Sequence, residues 1–337
     1  MKFHASIAGA LCLLSATLWA PPAFGQPRSI GAGQYESQFA DLSGATTGAS
    51  LVVVQFDPDI TGGGLITVGS GTDREVQADV YLLMPADLRD MADQLMARFS
   101  ATLRNTETGE TQITLGGAVE ELDSETRERL RYRVAVTVPE GVALEIEAPY
   151  AEVDINGRVG DVTIERTLAP VSIAGARGRL EVRGANSRVL ITDLIGSFDI
   201  ETSNDRVRLV DVRIDSSYQS ASRRAHAETE NADIEFVRYT GPFDLETTRG
   251  VLRGREVALT LDVGRLSNRG GEVDVRFAEL APEASLVVTN SYEEITLGLP
   301  AHVNARLKVQ TSGGEVSIDG LEHRIDRVYR DRLEALF

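Results

Sequence analysis

Four apolar positions recur at a fixed interval of eighteen residues between Leu144 and Leu209, and this constrains the fold more than any other feature of the chain. Val162 has counterparts at Leu144, Leu180 and Phe198, and Ile164 at Ile146, Val182 and Ile200. Val171 matches Val153, Val189 and Val207, and Ile173 matches Ile155, Ile191 and Leu209. Each unit, such as DVTIERTLAPVSI (161–173), holds two alternating apolar pairs around a polar bend, the pattern of two half-buried strands.

A meander of hairpins fits the repeat poorly. Its bends would run to about two to five residues and favour Asn-Gly or Asp-Gly, whereas EAPYAE, ERTLAP, RGANSR and ETSNDR do not. Propeller blades need a period of roughly 40 or more. An eighteen-residue period matches one coil of a β-solenoid, in which like residues stack at about 4.8 Å. The fold class expected is therefore all-β: a single-chain β-solenoid with an irregular β-rich N-terminal part and a C-terminal cap helix.

The pattern continues beyond Leu209 with altered spacing. Ala225/Ala227 with Ile234/Phe236 form a rung displaced by 27 residues, which places an extruded loop at 211–224. SFDIETSND (197–205) returns as PFDLETTRG (242–250). Later rungs are expected at Leu259/Leu261 with Val273/Val275, Leu286/Val288 with Ile295/Leu297, and Leu307/Val309 with Val316/Ile318, about eight coils in all. The bends carry Thr with Asn or Gly (ETSND, ETENA, ETTRG, SNRGG, QTSGG). Thr suits the strand end, and Asn and Gly tolerate a left-handed corner.

The flanks divide the chain into 1–25, 26–138, 139–320 and 321–337. The first reads as a secretory signal: Lys2, an apolar core from Ala5 to Ala20, a break at Pro21-Pro22, and small residues at Ala23 and Gly25. The core is shorter than the ~20 residues that span a bilayer, and Cys12 lies inside it, the wrong place for a lipidated cysteine. Residues 26–138 should give strands at 51–56, 65–69 and 75–83, one short helix at 85–99, and a hairpin closing around Thr106 to Glu110. They are expected to cover the stack and supply its early irregular coils. Residues 321–337 (LEHRIDRVYRDRLEALF) place Leu321, Ile325, Val328, Tyr329, Leu333 and Leu336 at helical spacing, which predicts the cap helix.

VAVTVPEGVALEIEA, EVDINGRVGDVTIE, ETSND, ETENADIEF and QTSGGEVSIDG together resemble a broad bacterial family of exported β-solenoid domains named putative adhesins, related to adhesin heads. The resemblance spans roughly 35–320. It implies the fold and attachment at a cell surface, and brings no active-site residues with it. The charged C-terminal segment, with no sorting motif, departs from that pattern.

Composition narrows the function classes. The net charge is −17, or −18 without Lys2, which disfavours nucleic acid and anionic lipid as partners. Beyond residue 25 there is no cysteine and no tryptophan, so an exported chain would rely on its core rather than on disulfides. His226, His302 and His323 are scattered, and there is no metalloprotease motif and no nucleophile elbow. Thr61-Gly62-Gly63-Gly64 lacks a following helix, and Asp57-Pro58-Asp59 lacks the rest of a calcium loop. No catalytic residue, cofactor or metal is assigned.

Two candidate binding surfaces follow. If Val162 and Ile164 point inward, Thr163 and Glu165 point outward, in line with Glu145, Glu181 and Asp199 and with Glu147, Arg183 and Glu201. The series resumes at Glu228, Asp244 and Glu246, making an acidic face suited to cations or a basic partner surface. The second candidate is the loop at 211–224, through Tyr218, Arg223 and Arg224. The expected function is non-enzymatic contact with an envelope or cell-surface protein or polysaccharide, secreted or periplasmic. The rival classes are a polysaccharide-active lyase or hydrolase and a structural envelope scaffold.

Overall fold

A computed structural model describes residues 27–45, 50–58, 60, 63–72, 74–157, 159–215, 217, 225–260, 263–301, 305–320, 327–329 and 332–336. The signal-like segment, Leu261, Tyr218, Arg223 and Arg224 lie outside them. The fold is all-β, dominated by one large and mostly parallel sheet.

The sheet is organised as two ladders, which the chain visits alternately. The first runs through Ala143–Glu147, Val162–Thr167, Arg177–Gly184, the second half of Val189–Ser203, His226–Glu230, Phe243–Thr247, Val263–Asn268, Ser285–Asn290 and Arg306–Thr311. The second runs through Ala151–Asn156, Val171–Ala174, the first half of Val189–Ser203, Val207–Ile214, Ile234–Thr240, Leu252–Leu259, Val273–Leu280, Ile295–Gly298 and Val316–Asp319. Register follows the repeat: Leu144↔Val162↔Leu180↔Phe198 in one ladder and Val153↔Val171↔Val189↔Val207 in the other. All eight are buried, because alternation along each strand turns every second side chain into the space between the ladders.

The columns are kept whether the stride is eighteen or longer, and volumes are traded within them. Phe243 stands over Gly264, and Phe236 over Gly254. A Cβ on Gly264 would lie 2.7 Å from the Phe243 ring, and one on Gly254 would lie 2.7 Å from the Phe236 ring. The rung expected at Leu259/Leu261 is therefore corrected. Leu259 closes Leu252–Leu259, and the inward pair at that level of the first ladder is Gly264 and Leu266. A glycine facing the core carries no apolar signal, so the pattern passed over it.

The corners are built by side chains as well as by backbone. Thr202, Thr229, Thr247, Asn268, Asn290 and Thr311 form one in-register column at the strand ends and are all buried. Their polar atoms satisfy corner carbonyls: Thr247 Oγ1 donates to Ala232 O (2.7 Å), Asn268 Nδ2 to Gly250 O (2.8 Å) and Asn290 Nδ2 to Gly271 O (2.9 Å). Outside them, Asn186, Asn204 and Asn231 each adopt the left-handed conformation that asparagine tolerates. Their amides link vertically, Asn204 to Asn186 and Asn231 to Asn204, both at 2.9 Å.

The expected loop starts later than 211. Val207–Ile214 is strand throughout, and Val212 is buried between Leu194 and Tyr239 in its column. Asp211 is left-handed, as are Asp193, Arg238 and Glu256 at the same level of neighbouring strands. That bend interrupts the alternation and hides the strand from a pattern reading.

The N-terminal strands join both ladders out of chain order. Leu51–Phe56 lies between Ala143–Glu147 and Glu110–Gly117, and Gly64–Gly71 lies between Ala151–Asn156 and Arg131–Pro139. The expected hairpin is present as Phe99–Asn105 antiparallel to Glu110–Gly117. Glu75–Pro85 covers Arg131–Pro139 antiparallel and pairs in turn with Gln34–Ala45. The helix expected at 85–99 is a 3₁₀ turn, Ala86–Met91, running into Ala92–Met96; Met91 is exposed and Phe99 already belongs to the next strand.

At the other end the helical expectation for 321–337 fails where the chain is described. Arg327–Tyr329 and Arg332–Leu336 are an antiparallel hairpin, and the latter pairs with Arg306–Thr311. The last strand of a parallel ladder offers unpaired N–H and C=O groups, and a strand satisfies them where a helix cannot. Leu321 and Ile325 lie outside the described residues.

Gly264→Val should destabilise the protein by about 1–3 kcal/mol through overpacking against Phe243. Adding Phe243→Leu should recover part of the loss in urea denaturation, giving a positive coupling between the two sites.

Candidate functional site

The side chains between the inward pairs of the first ladder point away from the core, and register sorts them into two adjacent outward columns. One reads Glu145, Thr163, Glu181, Asp199, His226, Asp244, Arg265. The other contains Glu147, Glu165, Arg183, Glu201, Glu228 and Glu246. All nine carboxylates singled out from the sequence thus share one face. The structure brings them together through the same stacking that aligns the aliphatic columns.

Their charge is not uniform along that face. Arg183 serves three carboxylates, reaching Glu181 at 2.9 Å and both Asp199 and Glu201 at 3.6 Å. Arg179 adds contacts to Glu181 at 3.1 Å and Asp199 at 4.0 Å. Arg183, which the sequence pattern places as one isolated cation in the column, thus relieves three positions and not one. The guanidinium fork on a long stem spans neighbouring strands, which a strand-by-strand listing does not reveal. Further along, Arg265 lies 3.8 Å from Asp244, and His226, which occupies the carboxylate column itself, lies 3.8 Å from Glu228.

Glu145, Glu147 and Glu165 stand together at one end of the face and, like Glu246 further along, have no ion pair with an Arg, Lys or His among the described side chains. Burial pushes the Glu145 carboxyl above its ordinary value, and Glu147, Glu165 and Glu110 push it further by repulsion. This end of the face holds the least compensated negative charge of the two columns. Among the described residues, no group of three or more His, Cys, Asp or Glu is arranged to hold a metal ion. The second candidate surface, Tyr218, Arg223 and Arg224, lies outside the described residues.

A shallow dent on the corner next to this face is lined by Arg188, Asp205, Arg206, Asn231, Ala232 and Asp233. The sequence reading missed it, since its residues come from three different bends. Among the described residues, no helix is long and apolar enough to cross a membrane; strands are not covered by that statement.

No family model and no curated protein matches the chain. Among solved structures, similarity is found to a crystal structure described as a "putative cell adhesion protein" from Clostridium sporogenes. It covers 83% of this chain and 98% of that one, at 8% identity and a TM-score of 0.21. A likeness of that size carries no argument for fold or function.

The raised Glu145 value has a consequence for stability. A carboxyl whose folded value lies above its unfolded one binds more protons when folded, so stability falls as pH rises from about the ordinary value, 4.5, upward. Glu145→Gln should therefore melt higher than the parent at neutral pH. The advantage should fade as the pH is lowered below that ordinary value, which thermal melts across the acid-to-neutral range will check.

Proposed function

We propose that the two ladders are sides of one exported β-solenoid that acts without catalysis, in adhesion or another cell-envelope contact. The observation that carries this reading is the outward face of the first ladder. Nine carboxylates stand there in two columns on a rigid sheet, at the ~4.8 Å spacing of stacked strands. A flat, periodic and negatively charged face suits a broad partner surface of opposite sign, protein or polysaccharide. The contrast between its compensated centre and the Glu145–Glu147–Glu165 end supports the N-terminal side as the part that attracts such a partner most strongly. Export is supported by the signal-like residues 1–25.

The test compares the parent chain with a Glu145→Gln, Glu147→Gln, Glu165→Gln variant, both immobilised and offered to bacterial envelope fractions. Retention should be saturable, should weaken with salt, and should drop about tenfold in the variant while the melting temperature stays level or rises. Equal retention by both chains would overturn the assigned face. Release of shortened or unsaturated saccharides from an envelope polysaccharide would instead establish the polysaccharide-active class.

A further inference from the structure

The two ladders do not end at the same level. Beyond Arg306–Thr311 the first ladder gains one more strand, Arg332–Leu336, paired antiparallel. The second stops at Val316–Asp319, which pairs with Ile295–Gly298 and, among the described residues, with no other strand. Among the described residues the end of the stack is therefore a step, short by one strand, about 4.8 Å, on one side. The opposite end of the same ladder has no such step, since Glu75–Pro85 covers Arg131–Pro139.

Hydrogen-bond parity identifies the groups left open. Ile295 and Leu299 donate their N–H to the carbonyls of Glu315 and Asp319, each at 2.9 Å. In a parallel pair, alternate residues bond to alternate sides. Residues 315, 317 and 319 thus face the stack, and the N–H and C=O of Val316 and Ile318 face off its end. Their side chains continue the columns of Ile295 and Leu297, which are fully buried, yet Val316 and Ile318 are only partly covered. Glu315 and Asp319, at the two ends of this edge, are exposed.

We propose that Val316–Asp319 is an acceptor edge for one extended strand of a partner polypeptide. That strand carries two aliphatic residues at alternate positions and basic residues outside them. Backbone pairing with Val316 and Ile318 supplies the affinity. The aliphatic pair extends the two inward columns by one level, and the basic flanks meet Glu315 and Asp319. A second copy of the same edge fits badly: two-fold pairing is antiparallel and sets Glu315 against Asp319, like charge opposite like. This surface is separate from the carboxylate columns, and the inference does not depend on the adhesion reading.

The test uses the full chain and a blocked, fluorescein-labelled peptide, Gly-Lys-Val-Thr-Val-Lys-Gly. Fluorescence anisotropy should rise saturably at sub-millimolar chain. A peptide N-methylated at alternate residues keeps every side chain and should bind roughly tenfold more weakly or not at all, since the backbone bonds are blocked. Ile318→Pro removes an outward-facing N–H and also trims the side chain above Leu297, so Ile318→Val serves as the control for the trimmed side chain. Ile318→Pro should melt close to Ile318→Val while binding about tenfold more weakly than it. Replacing the lysines of the peptide by glutamates should also weaken binding. No binding up to millimolar concentrations, or equal binding of the N-methylated peptide, would overturn the proposal without any protein variant. Sedimentation as a dimer that Ile318→Pro dissolves would also overturn it, showing that a second copy holds the edge.

Discussion

Parallel backbone pairing kept in register is the constraint on which the rest of this structure depends. Because side chains alternate along a strand, a slip of one residue would turn a whole set of aliphatic groups into solvent. The chain tolerates long and short connections, but absorbs them at corners. Val207 pairs with Ile234 across 27 residues as faithfully as Val189 pairs with Val207 across eighteen. Within the columns, size is adjusted locally: Ala225 and Ala227 are small where Phe198, Phe236, Tyr239 and Phe243 cluster, and glycine faces the largest rings. The corner column of Thr and Asn does for polar groups what the aliphatic columns do for apolar ones. It leaves buried carbonyls with partners.

The same register stacks like charges, which is unfavourable in itself. The protein meets this by setting cations into the columns or beside them, Arg183 and Arg179 at the centre and Arg265 further along, and by interrupting the carboxylate column with His226. Among the described side chains the N-terminal end of the face is left without them, and there burial, with repulsion added to it, raises the Glu145 carboxyl. A face neutralised along its whole length would be simpler to explain by solubility alone. Uneven compensation on a regular lattice is what makes one end of it distinct.

Much of this architecture was legible in the sequence because burial imposes period two along each strand and period eighteen between strands. The four columns from Leu144 to Leu209 follow from those two numbers. The rungs at Ala225/Ala227, Leu286/Val288 and Leu307/Val309, at longer strides, and with them the later carboxylates, were legible from the period of two and the recurring bends. What escaped was whatever is not apolar or not local. Gly254 and Gly264 face the core without an apolar side chain, and Asp211 bends a strand that otherwise reads as a loop. The C-terminal segment has helical spacing, but where described it obeys the unmet hydrogen-bonding demand of a neighbouring strand. The reach of Arg183 to three carboxylates on two strands depends on side-chain length, which no periodicity records.

Spatial order and chain order part company at the N-terminal end. Leu51–Phe56 and Gly64–Gly71 are sandwiched between strands drawn from 110–139 on one side and from 143–156 on the other. As the chain emerges from a ribosome or an export channel, this level is made early but has neither neighbour. Both of its hydrogen-bonding edges stay open until some 40 to 90 further residues have appeared. Growth by simple addition of each new level onto the last is therefore impossible here. The first-made strands must wait, exposed, to be enclosed by later ones. Any chaperone traffic while the chain is being made would be concentrated on residues 51–56 and 64–71, whose aggregation hazard is set by timing rather than by composition.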